Sequence, residues 1–456
     1  MLNLALTAFV MVFLAMGLRR PFLWVLAYLY IDILAPQKIS WGFLSAIPVS
    51  LITFVLAFAG WILLDDKRDS RFTLRQGLIL FLLVYCGVTT LGADFPAEAQ
   101  EKWAWVWKAL VFAIFLPLTL RTRLRIEAAL LVMVLTLGAL VIDGGVKTLG
   151  GGSGYGTLRL FVADNAGLYE GSIISCVAIT AIPLIVWLMK HGTIFPSDWR
   201  VKTFGAALIF SCLLIPIGTQ ARTGLICIAL VAVLSLRSAK RRFLYVGLGA
   251  LAALAAIPLL PESYTARMST IENHQADQSA STRVEVWKWT LRYVGEHPFG
   301  GGFDAYRSNS IRVETRKVTG ASNNATVEVG EAFDKARAYH SSYFEMLGEQ
   351  GWPGLFVWLW LMASGLWQME RLRRKWKGRC GEGETWQAPL AEALQHSLLV
   401  YMAGSLFVGI AFQPFCYMLI GLQIGLWSYL RRIESGRPSH KAARPALIVP
   451  DAVAAR

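Results

Sequence analysis

The 456 residues are 55% hydrophobic and only 16% charged, with 17 tryptophans and a mean hydropathy of +0.49. Soluble domains carry about 25% charged residues, so a chain that is wet on all sides is excluded and a polytopic, all-α membrane protein is expected. The formal net charge of +14 would point to nucleic acid in a soluble protein, but the basic residues sit in short links between apolar runs, so no nucleic-acid partner is implied.

Apolar runs long enough to cross a bilayer fall near 2–18, 22–35, 42–64, 74–92, 103–120, 126–144, 171–190, 203–218, 223–236, 243–260, 344–368, 390–412 and 414–430. The first run ends in Arg19-Arg20-Pro21 with no small-residue cleavage site, and a second follows at once; this reads as a retained anchor. The tally is thirteen spans, or twelve if 1–35 is one broken element. Basic clusters follow every second span. They are Lys67-Arg68 with Arg71 and Arg75, Arg121 to Arg125, Lys190 with Arg200 and Lys202, Arg237 with Lys240 to Arg242, Arg371 to Lys377, and Arg431-Arg432. That alternation is the positive-inside pattern of a cytoplasmic face.

The opposite face then receives Pro36–Trp41, Asp94–Lys102, the Gly-rich segment Leu149–Gly171, a short turn Gly218–Thr223, and the long segment Pro261–Tyr339. Within the last, Val284, Trp287, Leu291 and Val294 recur at helical spacing, with Ser281 or Thr282 able to cap the start, which predicts an amphipathic helix over 281–296. His297-Pro298-Phe299-Gly300-Gly301-Gly302 reads as a tight turn, and Arg307–Arg337 as a mobile polar lid. Trp103, Trp105 and Trp107 read as interface markers. Of the six cysteines, five lie in or beside apolar runs and Cys380 in a basic link, so no disulfide framework is expected outside.

Chemistry has few places to sit. His340, in Tyr339-His340-Ser341-Ser342, stands where the long segment re-enters the membrane; a neutral imidazole there can take a proton from a hydroxyl, and a hydrogen-bonded anchor is the plainer alternative. Arg222, in Thr219-Gln220-Ala221-Arg222-Thr223-Gly224, opens a helix whose free N–H groups favour an anion; snorkelling to lipid phosphate is its plainer role. Arg283 opens the amphipathic helix and reads equally as a solvated helical residue. Glu345 and Glu349 share a helix face at the membrane boundary, where carboxylates are costly; pairing with an arginine as a structural element is expected, with orientation of His340 or Arg222 as a second role. Asp164-Asn165 could bind sugar hydroxyls, with a capped turn the plainer reading. No Asp-x-Asp pair or His/Cys cluster in the outer segments suits a metal, so a diphosphate there would need arginines as counter-charges.

These residues resemble a family. His340-Ser341, nine residues, Gly351, two residues and Gly354 fit the H-[NSQ]-x9-G-x-x-G signature of O-antigen ligases, of the Wzy/O-antigen ligase superfamily. The Thr219–Gly224 turn resembles that family's T-x-x-R-T/S-G segment, Arg283 its second functional arginine, and Pro36-Gln37-Lys38 with Trp41-Gly42 an exosortase-associated O-glycosylation ligase subgroup. The resemblance implies a GT-C-like fold of about twelve helices with one large, helix-bearing periplasmic loop. On that basis the chain divides into an N-terminal transmembrane bundle (1–260), the periplasmic loop (261–343), C-terminal transmembrane helices (344–430) and an unstructured cytoplasmic tail (431–456).

It further implies a multi-pass glycosyltransferase of the bacterial inner membrane, in lipopolysaccharide biosynthesis. Its partners would be an undecaprenyl diphosphate-linked glycan and a lipid A-core acceptor, and its chemistry metal-independent, cofactor-free and inverting at the periplasmic face. His340 would be the base, Arg222 and Arg283 would bind the diphosphate, and Glu345, Glu349, Gln220 and Tyr339 would support them. An O-antigen polymerase or a protein O-oligosaccharyltransferase would share these features. A lipid-linked glycan flippase or transporter is the reading from another class, disfavoured because the candidate groups gather at one face rather than at mid-membrane.

Overall fold

The structure is a computed structural model that describes residues 2–67, 71–152, 154, 158–162, 166–237, 247, 278–319, 326–378 and 385–436. Most of the expected span 243–260, Asp164-Asn165, Cys380 and the tail beyond Gly436 lie outside the described residues.

The first two apolar runs are separate helices, α1 (Leu2–Arg19) and α2 (Phe22–Leu34). The break at Arg20-Pro21 folds α2 back on α1, so that Trp24 lies against Gly17 and its Nε1 donates to the Leu14 carbonyl at 2.8 Å. After the short α3 (Pro36–Ile39), the expected span 42–64 divides into α4 (Phe43–Ala46) and α5 (Val49–Leu64). Pro48 is the cause: it disfavours helical backbone at Ile47, which is extended (φ −116, ψ 146).

Later helices begin at side-chain caps. Thr73 and Gln76 form a reciprocal capping box at the start of α6 (Leu74–Leu91). Thr122, Glu170 and Asp198 accept backbone N–H bonds at the starts of α8 (Arg123–Leu149), α9 (Gly171–His191) and α10 (Trp199–Thr219). Between them, α7 (Pro96–Thr119) starts at Pro96, ahead of the expected 103, because proline is well suited to a first helical position. Lys102 therefore lies well inside a helix rather than in an outer link. Gln220-Ala221 alone separates α10 from α11 (Arg222–Arg237).

The amphipathic helix is α12 (Gln278–Glu296), which starts before Ser281. Its buried stripe is Val286, Thr290 and Val294, one residue from the predicted one; Val284 and Leu291 are exposed. The stretch read as a lid is an antiparallel hairpin, β1 (Ser310–Thr319) with β2 (Thr326–Lys335), in register from Ser310↔Lys335 to Thr319↔Thr326. Alternate residues here are β-branched or charged, a pattern that pairs strands without an apolar core on both faces. The chain closes with α13 (Ser342–Trp376), α14 (Gln387–Gly404) and α15 (Pro414–Gly436). The expected span 390–412 thus stops at Gly404, and α15 carries helix into the expected tail.

Among the described residues five helices, α6 to α10, are long and apolar enough to cross a membrane, and α1, α2 and α5 are shorter apolar helices. They share one core, in which small residues set the approach of the helices. On α15, Gly421 and Gly425 face Leu116 of α7 and Leu120 just past its end, and a Cβ on Gly421 would lie 2.9 Å from Leu116 Cδ2. This spacing of small residues lets apolar helices pack closely where lipid gives no hydrophobic drive. Trp103 and Trp107 take part in this packing rather than marking an interface: Trp103 stacks on Phe303 at 6.3 Å and Trp107 meets Phe54 edge-on at 5.5 Å. Cys86, Cys176, Cys212, Cys227 and Cys416 are buried and free.

Candidate active site

The turn that carries Arg222 is held by its own backbone and by its neighbours. Gln220 adopts a left-handed conformation (φ 54, ψ 34) and its N–H bonds to the Ile217 carbonyl, while the Ala221 N–H bonds to Pro216. Thr219 Oγ1 lies 2.8 Å from Ser175 Oγ of α9. A Cβ on Gly224 would lie 2.5 Å from the Pro216 ring, so only glycine lets α11 leave the turn at this angle. Arg222 is the first residue of α11 and half-buried, beside buried Gln220 and Thr223.

His340 stands at the start of α13 with an uncommon backbone (φ 47) and an exposed side chain, between buried Tyr339 and buried Ser341. A left-handed non-glycine residue costs about 1–2 kcal/mol and persists only where its surroundings fix it. Both sides of it are fixed. On one, Trp287 Nε1 of α12 donates to the Tyr339 carbonyl at 2.9 Å and the indole stacks on Phe344 at 4.8 Å. On the other, the Ser342 N–H bonds to Ser405 O at 2.8 Å, and Ser342 Oγ donates to Val408 O and accepts from the Ile410 N–H, both at 2.9 Å.

Arg283 lies four residues before Trp287, on the same face of α12. The face that clamps Tyr339 therefore also presents Arg283 to the histidine. Loss of solvation first, then the positive fields of Arg283 and Arg337, lower the His340 pKa from its ordinary 6.5. The ring is accordingly neutral at neutral pH, with a lone pair free to accept a proton.

The two glycines after His340 have distinct tasks. Gly351 interrupts α13 with φ 62, ψ −167, and any side chain there would run into the Pro298 carbonyl. Into that break docks the tight turn: Gly300 (φ 80) meets the Gly351 N at 2.5 Å from its Cβ position, Gly301 N–H bonds to Gly348 O, and Gly302 N–H bonds to Glu349 O at 2.9 Å. Gly354 makes room for the Gln350 side chain.

Beneath the junction, three carboxylates converge on one ammonium. Lys102 Nζ of α7 lies 2.7 Å from Glu345 Oε1, 2.8 and 2.9 Å from the two oxygens of Glu349, and 4.0 Å from Asp304. Glu345 Oε2 also accepts the Ala411 N–H at 3.0 Å, and Glu349 Oε1 the Asp304 N–H at 3.1 Å. Glu349 is wholly buried. The cluster ties α7, the loop after α12, α13 and the α14–α15 connection into one unit below His340. It also fills the role expected of an arginine with a lysine.

Residues 206–359, from α10 into α13, match the family model described as O-antigen ligase. This stretch, about a third of the chain, is a domain of the O-antigen ligase superfamily. The matched stretch contains Arg222, Arg283, His340, both glutamates and both glycines, and with the apolar helices it makes this a membrane protein. Residues 1–193 match a family of unknown function (DUF5935). No curated protein matches the chain.

Within this O-antigen ligase domain, His340 and Arg283 are neighbours, and Arg222 occupies the same end of the bundle. The link to Arg222 runs through packing: Cys227, lower on α11, abuts Gly404, and the next residue, Ser405, accepts the Ser342 N–H. Tyr339 is an anchor, its ring buried against Gly348 and Tyr306. Sequence reasoning missed Lys102, Asp304 and Trp287. Two glutamates on one buried face demand a counter-charge, and Lys102 was the available cation nearest the outer ends of the spans; misjudging the start of α7 hid it.

Proposed function

We propose that this protein is a periplasmic-face glycosyltransferase that moves a glycan from undecaprenyl diphosphate to a hydroxyl of lipid A-core oligosaccharide, without a metal and with inversion. The observation that carries the reading is the exposed, neutral imidazole of His340, locked at a strained junction beside Arg283. An inverting displacement at an anomeric carbon requires a base for the acceptor hydroxyl and stabilisation of the departing diphosphate. His340 takes the hydroxyl proton as the new glycosidic C–O bond forms. Arg283, and Arg222 at the N-terminus of α11, receive the negative charge released as the bond to the diphosphate oxygen breaks. The Lys102 cluster holds the floor on which the junction rests, and the carrier lipid lies along the apolar helices.

The test is transfer in vitro with purified protein, undecaprenyl diphosphate-linked glycan and lipid A-core, in the presence of EDTA. Wild type is expected to transfer, and His340→Ala to lose about 10²- to 10⁴-fold, the usual weight of a general base. Undiminished transfer by His340→Ala would remove the base assignment. Transfer only when the glycan itself or a protein hydroxyl replaces lipid A-core would make the protein a polymerase or a protein ligase of the same superfamily.

A further inference from the structure

At the other end of the bundle from His340, two cavities of about 620 Å³ each meet at Leu74 and Gln368. The first is polar and opens among Arg71, Gln368, Trp427, Ser428, Arg431 and Arg432. The second is an apolar groove between α6 and α13, lined by Leu78, Phe356, Leu359, Trp360, Ala363 and Trp367. A basic mouth leading into an apolar groove on a membrane-facing surface matches one class of molecule. We propose that this is a binding site for an anionic glycerophospholipid, with its phosphate between Arg71 and Arg431 and an acyl chain along the α6–α13 groove.

The charge balance favours an anion. Among the described residues Arg71 has no hydrogen bond or ion pair, and Arg431 only rests its guanidinium over Trp427, 5.6 Å from the ring centroid. Glu434, the carboxylate in the lining, is neutralised through Oε2 by Lys375 at 2.6 Å, its Oε1 being buried without a partner. Planar guanidinium groups pair well with phosphate oxygens, and basic pockets between helices at a membrane's cytoplasmic surface take anionic head groups.

Two further observations point to a missing polar partner. Gln368 Oε1 and Ser428 Oγ, both in the polar lining, are buried without a hydrogen-bond partner, and they suit the glycerol hydroxyls and ester oxygens of a lipid. Arg75, in the wall of the groove, is 1% exposed; its Nη2 donates to Gln423 at 2.9 Å, while Nε and Nη1 find no acceptor. No described carboxylate pairs with it, so its charge adds to the positive field at the head-group position. The groove supplies the complementary apolar surface: Phe356 and Trp367 are exposed by 61% and 58%.

The test is native mass spectrometry of the full chain in detergent, titrated with phosphatidylglycerol, with phosphatidylcholine of the same acyl chains as neutral control and inorganic phosphate as competitor. Wild type is expected to retain one phosphatidylglycerol in preference to phosphatidylcholine. Arg71→Gln with Arg431→Gln should weaken that binding about 30-fold, the weight of two interfacial arginines. Ala363→Trp fills the groove with every charge in place and should weaken it as well. All three positions are exposed, so folding is preserved, and an unchanged melting temperature checks this. Equal retention of the two lipids by wild type, or unchanged selectivity in the arginine double variant, would overturn the proposal. Displacement of the lipid by millimolar inorganic phosphate would also overturn it, by making this a free-phosphate site.

Discussion

At the scale of single residues, the electrical surroundings of His340 decide how its activity depends on pH. The imidazole must be neutral to accept a proton, and desolvation together with Arg283 and Arg337 lowers its pKa below 6.5. The acid limb of kcat/KM is therefore expected at lower pH than an ordinary histidine would give. Arg283→Gln removes one positive neighbour, so the histidine holds its proton more tightly and the limb moves to higher pH, alongside any loss of diphosphate binding. A pH profile of that variant superimposable on wild type after scaling would separate Arg283 from His340. Arg222→Ala should lower kcat by about 10²-fold through lost leaving-group stabilisation. Arg222→Lys should recover only part, since an ammonium lacks the planar fork. Equal activity of wild type and Arg222→Ala would leave Arg222 a lipid anchor.

Lys102 belongs to the same scale but to stability rather than chemistry. Replacing it by Met leaves Glu345, Glu349 and Asp304 facing one another below the junction, where breaking a buried ion cluster costs about 3–5 kcal/mol. The expected result is a large fall in melting temperature, partly restored when Glu349→Gln is added, because one of the orphaned charges is then gone. A lone Lys102→Met variant as stable as wild type would show that the cluster contributes nothing to holding α7 against α13.

At the scale of elements, the break in α13 organises the region around His340. Gly351 and Gly300 have φ of 62 and 80, and their backbones meet. Gly351→Ala places a Cβ against the Pro298 carbonyl in a conformation (φ 62, ψ −167) open essentially to glycine alone, which costs an L-residue about 1–3 kcal/mol. The Gly300–Gly302 turn should then leave its dock on Gly348–Glu349. Faster hydrogen exchange at the Gly301 and Gly302 amides, with slow exchange kept in α7, is the expected signature; unchanged protection at both amides would count against the docking.

Much of this element-level order is legible in the residues. Apolar run lengths place most of the described helices, Arg20-Pro21 marks the break between the first two, and the His340–Gly351–Gly354 spacing marks the junction. What escaped is what depends on partners remote in the chain. Pro96 starts α7 early, which turns Lys102 from a link residue into a buried counter-ion. Pro48 divides a run whose hydropathy is unbroken. In the 310–335 hairpin charged residues and threonines break up the apolar positions of the sequence, so the alternation that would announce strands is weak. In α12 the helical period was clear and Val294 and Trp287 pack inward as expected, but Val284 and Leu291 are apolar residues left exposed, so composition alone set the buried stripe one residue off. The nearness of Arg283 to His340 rests on Trp287 bonding a backbone carbonyl fifty residues away, and no sequence pattern encodes that bond.

At the scale of the whole molecule, charges separate to two ends. At one end basic residues interlock: Arg125 pairs with Asp65 at 2.6 Å, Arg121 with Asp66 at 3.2 Å, Arg432 donates to the Arg121 carbonyl, and Arg123 lies over Trp386 and bonds the His191 carbonyl. At the other end Asp94 bonds the backbone of Gly301, Lys102 gathers its three carboxylates, and Arg222 and His340 stand nearby. If the interlocked basic end faces the cytoplasm, as the positive-inside rule requires, the His340 end faces outward. Single cysteines test this, since the five described native cysteines are buried and only Cys380 need be replaced by serine. Ser308→Cys lies in the exposed loop near His340, and Ser197→Cys in the exposed link between α9 and α10 at the basic end. In bacteria with a permeabilised outer membrane, an impermeant maleimide is expected to label the former and not the latter. The reverse pattern would put His340 in the cytoplasm, away from any glycan displayed on the outer leaflet, and would sink the transfer reaction together with its sidedness.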